Sequence, residues 1–516
     1  MSHWVEVNDV TIERIRRRLT ECVRLLEIYS WVVDSFVLDF FLDSHWSHLP
    51  ESWCNILKHC SPQTLASLLD PNIPADQKQV WPLSLLAFKK SILSLSLSRK
   101  QVSDFKFVKA FLDSTVLNER ASKKSKQDSP KANFSEIETG LKVEDEQNSN
   151  KMEKEKFCFF EDMLSVLEKK NPTLKQIFRK HVKPKKQYEL ARLGKFTYDI
   201  LNQINVNCLI DVGSGQGHLA RYLCYSYSLQ VACVDSNKDF TDSARKFDIQ
   251  LEQSFRKLER RGEHCLHIPH TAPVHVNAWL QPVMDLQAFH SILSEKFHIY
   301  DTSLRYCILG LHTCGDLGPV LIKMYAQDTK ATVLNSIGCC YMKIKEHFPM
   351  SLFLRGVETR WKLNYTNAEL ACHAIEMYTE RLREGEEDKL KVHCYRAVLE
   401  KFLMKKDPAL KHSILRTVSR AHTLTFLEYA VKATSKLPLG IDPLEFDTEE
   451  IREELSAWWE VVGYYTLRLA LAPILETVIL LDRCVFLYEN GFRSLLIPLF
   501  DPIISPRNQL IFSAKN

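Results

Sequence analysis

Glycine is scarce in this chain, at 15 of 516 residues. The backbone therefore has few places where it can take a positive φ or let a ligand press against it. Long uncharged apolar runs are also lacking. The nearest, LALAPILETVILLDRCVFL, is broken by Glu476, Asp482 and Arg483. A membrane-spanning helix needs about 18 or more apolar residues with few charges, so this stretch is expected to be a buried helix of a soluble protein, with no membrane partner. One-sided charge is missing too. A net charge of +4 permits a polyanionic partner without arguing for one. The opening MSHWVEVNDV is polar and has no cationic, apolar leader. The 15 cysteines are scattered over a long chain, so they are read as reduced thiols in a cytoplasmic or nuclear protein rather than as a disulfide framework.

What is present divides the chain. Residues 1–115 carry apolar positions at helical spacing, as in VTIERIRRRLTECVRLLEIYSWVVDSFVLDFF, and are expected to form a helical region. Trp46 and Trp53 there are expected to fill a core. Residues 116–156 are rich in Lys, Glu, Ser, Asn and Gln and poor in large apolar side chains, and read as a disordered charged linker. From 157 to 345 a helical stretch and a basic turn with Lys183, Lys185 and Lys186 precede an alternating region. NCLIDVG, LQVACVDS, VHVNAWL, RYCILGLHTCGDL and ATVLNSIGCC read as strands, with helical sequence between them. Strands alternating with helices imply a mostly parallel α/β sheet covered on both faces. Residues 346–465 return to helical sequence and are expected to be an insertion. In 466–516 a long apolar helix is followed by two short strands around PIISPR. Such a pair is marginal alone and belongs at the edge of the parallel sheet, which makes the α/β unit discontinuous.

Three of the scarce glycines fall within five positions, in LIDVGSGQGHLARYL. A strand would end near Asp211 and a helix begin near His218, so the turn offers bare backbone and a helix N-terminus to a ligand. The dinucleotide fingerprint is G-x-G-x-x-G. Here the order is D-x-G-x-G-x-G, and His218 stands where the third dinucleotide glycine is wanted. That aspartate-led spacing is the one used for S-adenosyl-L-methionine. Asp211, Gly213, Ser214, Gly215, Gln216 and Gly217 would face its amino-acid portion. Asp235, closing the second strand, could accept hydrogen bonds from both ribose hydroxyls.

Ligands in open α/β sheets lie at the carboxyl ends of strands. The fourth strand runs out into His312, Thr313, Cys314, Gly315 and Asp316, and the fifth into Cys339, Cys340 and Tyr341. His312, Cys314, Asp316, Cys339 and Cys340 are the candidate catalytic residues. A thiolate could act as a covalent nucleophile, in the manner of RNA cytosine-C5 methyltransferases, although those flank their cysteines with Pro-Cys and Thr-Cys. His312, Cys314, Cys339 and Cys340 are ligands zinc accepts. Neither H-x-C nor adjacent C-C has the usual C-x-x-C geometry, however, and no metal is expected. A third reading makes these residues the lining of a substrate pocket, with His312 as a general base.

Seven segments, KPKKQYEL, DVGSGQGHLARYL, GLHTCGDLGPVL, SIGCCY, FPMS, ELACHA and LFDPIISPRN, together resemble the methyltransferase-like protein 25 family. That group includes relatives named for a ribosomal RNA adenine dimethylase domain. The likeness runs from near Trp46 to the C-terminus and lapses in the linker and around residues 250–300. It implies a seven-stranded class I (Rossmann-like) methyltransferase sheet, with cofactor contacts at Asp211, Gly213, Gly215, Gly217 and Asp235. It implies no particular acceptor, because LHTCGD stands where an adenine-N6 dimethylase carries an Asn-Pro-Pro-Tyr-like segment. RNA and protein acceptors stay open at this point. So does a catalytically inactive interaction protein built on the same scaffold.

Overall fold

CLIDV and QVACVD are apolar without polar alternation, and strands of that kind need cover on both faces. The computed structural model describes residues 3–74, 80–114, 182–260, 272–280, 285–413, 418–437 and 440–515. It places both segments inside a mixed sheet of eight strands. These are β1 (Val5–Val7), β2 (Cys208–Val212), β3 (Gln230–Asp235), β4 (Val274–Asn277), β5 (Tyr306–Thr313), β6 (Ala331–Gly338), β7 (Ser494–Pro498) and β8 (Gln509–Ala514). The order across the sheet is β1-β7-β8-β6-β5-β2-β3-β4. β2 to β6 pair in parallel, while β8 runs antiparallel to both β6 and β7. The fold is α/β.

Neighbouring residues of one strand enter opposite cores, as the two-residue period of a strand requires. Leu209 packs with Leu193, Phe196, Leu219 and Leu223 of the helices Pro184–Gln203 and His218–Tyr227. Ile210 joins the other core, which includes Leu321 of the helix Leu317–Gln327 and the apolar helix Ala472–Glu489. That second core is continuous with the helices Ile12–Ile28, Glu51–His59, Glu387–Lys406 and Trp458–Ala470. Trp53 is fully buried there and donates its indole N–H to Ser84 at 2.8 Å. Trp459 donates to the Leu57 carbonyl at 3.1 Å. The N-terminal helices and those of 346–465 therefore pack against one another on one face of the sheet.

Two sequence expectations are corrected. The sheet has eight strands rather than seven, because residues 1–115 are not purely helical: Val5–Val7 pairs antiparallel with β7. Without it β7 would be an open edge, and a short covering strand removes that liability. Three residues are too few to show a strand period in the sequence. Lys183, Lys185 and Lys186, read as a turn, stand at the N-cap and first turn of the helix Pro184–Gln203. The linker 116–156 and the helical sequence that follows it, up to 181, lie outside the described residues.

Candidate functional site

The carboxyl edge of the parallel strands carries two clusters. The first lies between β2 and β3. Gly213, Gly215 and Gly217 sit at φ +68, +55 and +68, a region that costs other residues about 1–2 kcal/mol each. Gly217 caps the helix His218–Tyr227. The turn is braced from below. Arg221 donates to the Gln216 carbonyl at 2.6 Å and pairs with the buried Asp248, which also holds His275 of β4. Ser214 is buried and its carbonyl accepts the Gly217 N–H at 3.0 Å. Gln216 Oε1 lies 3.2 Å from His218 Nε2. The crown of the turn is open, since a Cβ added at Gly215 would meet nothing within 4 Å.

Both acids of this half are defined. Asp235 accepts from the Gly215 N–H and the Asn237 N–H, each at 2.8 Å. It therefore ties the end of β3 to the glycine turn, and the remaining lone pairs of its carboxylate stay available. Asp211 is 2 % exposed, and its Oδ2 has no hydrogen-bond partner. Burial pushes its carboxyl up to about 7 against the pull of the Lys186 ammonium, and the charge of Asp235 adds to the rise.

The second cluster lies beyond β5 and β6. The sulphurs of Cys314, Cys339 and Cys340 converge, with separations of 3.1 Å, 3.3 Å and 3.4 Å. Cys314 is exposed and the other two are half-buried. Hydrogen bonds from Cys339 and Cys340 draw the Cys314 thiol below its ordinary range despite burial, helped by the charges of Lys343 and His312. The two turns are stapled together. Gly315 N–H donates to the Cys340 carbonyl at 3.2 Å. Asp316 accepts from the backbone N–H groups of Lys345 and His347 at 3.1 Å and 3.3 Å. Gly315 sits at φ +57, where a Cβ would stand 2.5 Å from the Lys343 carbonyl oxygen. Asp316 is thus a structural staple rather than a free polar group.

His312 turns away from the sulphurs with its ring and toward them with its backbone. Its carbonyl oxygen lies 3.4 Å and 3.3 Å from Cys314 and Cys339 Sγ. Its Nε2 meets Glu189 Oε2 at 2.8 Å. Glu189 is buried, and its other oxygen accepts from Ser505 Oγ at 2.6 Å. Burial would raise the Glu189 carboxyl, but His312, Ser505 and Lys185 outweigh it and hold it low. An ionised carboxylate only accepts, so His312 donates from Nε2 to Glu189. His312 adopts φ +64, a strained conformation of the kind that gathers at functional sites.

Sequence reasoning did not find Glu189, Ser505, Arg483 or His275. Glu189 lies in KPKKQYEL and Ser505 in LFDPIISPRN, segments 316 residues apart. No local period marks them, and the resemblance was the one signal that pointed there. Arg483, read as an interruption of an apolar helix, is 2 % exposed. A Cβ at Gly318 or Gly338 would meet its Nη1 at 3.2 Å or 2.9 Å, so the guanidinium lies behind both cysteine turns. That nitrogen has no hydrogen-bond partner.

Residues 185–347 match a family model described as a methyltransferase domain. The chain is 30% identical to "Probable methyltransferase-like protein 25" of Mus musculus over 245 residues, which covers 43% of this chain and 39% of that protein. The Homo sapiens protein of the same name is 30% identical over 244 residues, with the same coverage. The chain thus spans about two fifths of the length of these curated relatives. No solved structure matches it significantly. Among the described residues no helix is long and apolar enough to cross a membrane. The matched methyltransferase domain holds the glycine turn, Asp235 and both cysteine turns, and over that part the chain is similar to the methyltransferase-like protein 25 proteins.

Proposed function

We propose that this chain is an S-adenosyl-L-methionine-dependent methyltransferase of the class I, Rossmann-like type. The observation that carries the reading is Asp211: a buried carboxylate oxygen without a partner, under a turn whose crown is open at Gly215. Leaving a buried acceptor unpaired costs about 1–3 kcal/mol, and the cofactor's α-ammonium is a group that would satisfy it. The residues fit that cofactor in three further respects. The turn is evenly glycine-spaced, it has no third dinucleotide glycine, and Asp235 closes the next strand. The sheet order without β1 is β7-β8-β6-β5-β2-β3-β4, with β8 the one reversed strand, the arrangement that the class I name describes.

When bound, the cofactor supplies an electrophilic sulfonium methyl group. This chain's part is to position the acceptor and take its proton. Asp211 and the glycine turn hold the amino-acid end, and Asp235 the ribose. His312 Nδ1 is the base at the acceptor side, oriented by Glu189 as a carboxylate orients an imidazole in other acid–base pairs. The braced turn contributes mainly by fixing orientation.

The test has two stages. S-adenosyl-L-methionine at about 100 times its dissociation constant should stabilise the chain by roughly 2.7 kcal/mol, whereas NAD should not. Labelled methyl transfer into fractionated RNA and protein from cell extract then identifies the acceptor, with Asp211→Asn as the control. Absence of a cofactor-dependent shift sinks the proposal. Binding without transfer to any fraction leaves an interaction protein on a methyltransferase scaffold.

A further inference from the structure

We infer that Cys314, Cys339 and Cys340 form a zinc site with three thiolate ligands and a fourth position open to the cleft. Among the described residues these three offer sulphurs that all lie within 4.8 Å of one another. Tetrahedral zinc with Zn–S bonds near 2.3 Å needs sulphurs about 3.8 Å apart. The observed separations of 3.1 Å, 3.3 Å and 3.4 Å reach that by opening about half an ångström, a rotamer-scale adjustment. Their spacing in sequence resembles no zinc motif because the ligands come from two strand ends. What a short motif does by spacing, the backbone does here by stapling Gly315 to Cys340 and Asp316 to residues 345 and 347.

The surroundings favour a negatively charged centre. Zn²⁺ binding displaces the thiol protons to buffer, and three thiolates with one water leave the complex at a net charge of minus one. Arg483 lies buried behind both turns with an unpartnered nitrogen, and Lys343 faces Cys314 and Cys340. Two cations around three soft donors suit a thiolate–metal complex better than three neutral thiols. No His312 ring nitrogen joins the three converging sulphurs, and its Nε2 is held by Glu189. Exposure of Cys314 puts the fourth ligand on the open side, so an exchangeable water or a soft incoming group occupies it, which is the hallmark of a catalytic rather than a structural zinc.

The site is separable from the cofactor turn. Full-length chain, purified with reductant and without a metal-binding tag, should carry about one zinc per chain by elemental analysis. A Cys339→Ser, Cys340→Ser double variant should fall below roughly a tenth of that, while Cys54→Ser should not change it. Should the double variant fail to fold, wild-type protein serves. Chelation should lower its unfolding temperature, and Zn²⁺ but not Mg²⁺ should restore it. Co²⁺ in place of zinc should give intense thiolate-to-metal charge-transfer absorption with tetrahedral d–d bands. Metal-free protein that takes up no zinc after reduction, or zinc content untouched in the double variant, overturns the site. So does a Cys314–Cys339 disulfide that leaves no metal binding once reduced. Cofactor binding measured in the same preparation keeps the two ideas apart: binding without zinc removes this inference alone, and zinc without binding removes the methyltransferase proposal alone.

Discussion

The two clusters on the sheet edge are built in opposite ways. The turn between β2 and β3 is local. Asp211 and the three glycines lie within seven residues, and Asp235 follows at the end of the adjacent strand. The cluster beyond β5 and β6 is assembled from far apart: Glu189, His312 with Cys314, Cys339 with Cys340, Arg483 and Ser505. A local motif can be open, because the ligand completes it. A dispersed cluster must be held by the fold, because nothing in the chain's sequence keeps its members together. The contrast shows at the glycines. Gly215 has empty space where a side chain would go, and Gly315 has the Lys343 carbonyl oxygen at 2.5 Å.

The largest effect expected on this contrast is catalytic. Glu189→Gln keeps the shape of the buried side chain but replaces an acceptor-only group with an amide, and His312 loses the partner that fixes its tautomer. Wrong-tautomer substitutions of this kind lower turnover by about 10²–10⁴-fold. The expectation is a rate loss of that size on the acceptor found by labelled transfer, with cofactor affinity by titration calorimetry unchanged. An unaltered rate would make the His312–Glu189 pair purely structural. Next in size is a pair of glycine substitutions. Gly315→Ala meets both the strained φ and the backbone contact, and should cost about 2–4 kcal/mol of stability in denaturant unfolding. Gly215→Ala meets the φ penalty alone, about 1–2 kcal/mol, yet should weaken the cofactor more than Gly315→Ala does. Equal stability costs would erase the distinction between the two halves.

The same contrast decides what was legible in the sequence. Apolar runs ending in Asp211 and Asp235, with glycines between, state their own chemistry, and the strands Cys208–Val212 and Gln230–Asp235 follow from their apolar character. Val5–Val7 is too short to announce a strand, and its place depends on an edge that β7 creates 489 residues later (Val5 pairs with Leu496, Val7 with Ser494). The three converging sulphurs were individually visible but not as a group, because H-x-C and C-C spacings carry no information about how two loops meet. Glu476, Asp482 and Arg483 were visible as interruptions of an apolar helix, but their uses were not. Glu476 pairs with Arg99 and Arg507, Asp482 accepts the Met350 and Ser351 N–H groups at 2.6 Å and 2.9 Å, and Arg483 lies behind the cysteines. Charge inside an apolar helix signals burial with a partner, and the partner is a property of the fold.

The smallest expected effect concerns Asp211 and pH. Its carboxyl is raised from 3.8 to about 7, chiefly by burial. In the interval between those values the native chain holds a proton that the unfolded chain has released, so the stability this group contributes is full below 3.8 and is lost as pH rises through about 7. Cofactor binding runs the other way, since the α-ammonium needs the ionised form. Between pH 6 and 8 the ionised fraction rises from about a tenth to about nine tenths, so affinity should tighten roughly tenfold until the α-amine itself begins to lose its proton near 8. Asp211→Asn should flatten both profiles. Lys186→Met should do something different. Lys186 is the cation that restrains the rise at Asp211, so its removal should move the midpoint of the affinity profile to higher pH without flattening it. A midpoint that stays put would mean that the first-turn lysines of Pro184–Gln203 act on the surface alone, and that the two halves of the edge are not joined electrostatically through that helix.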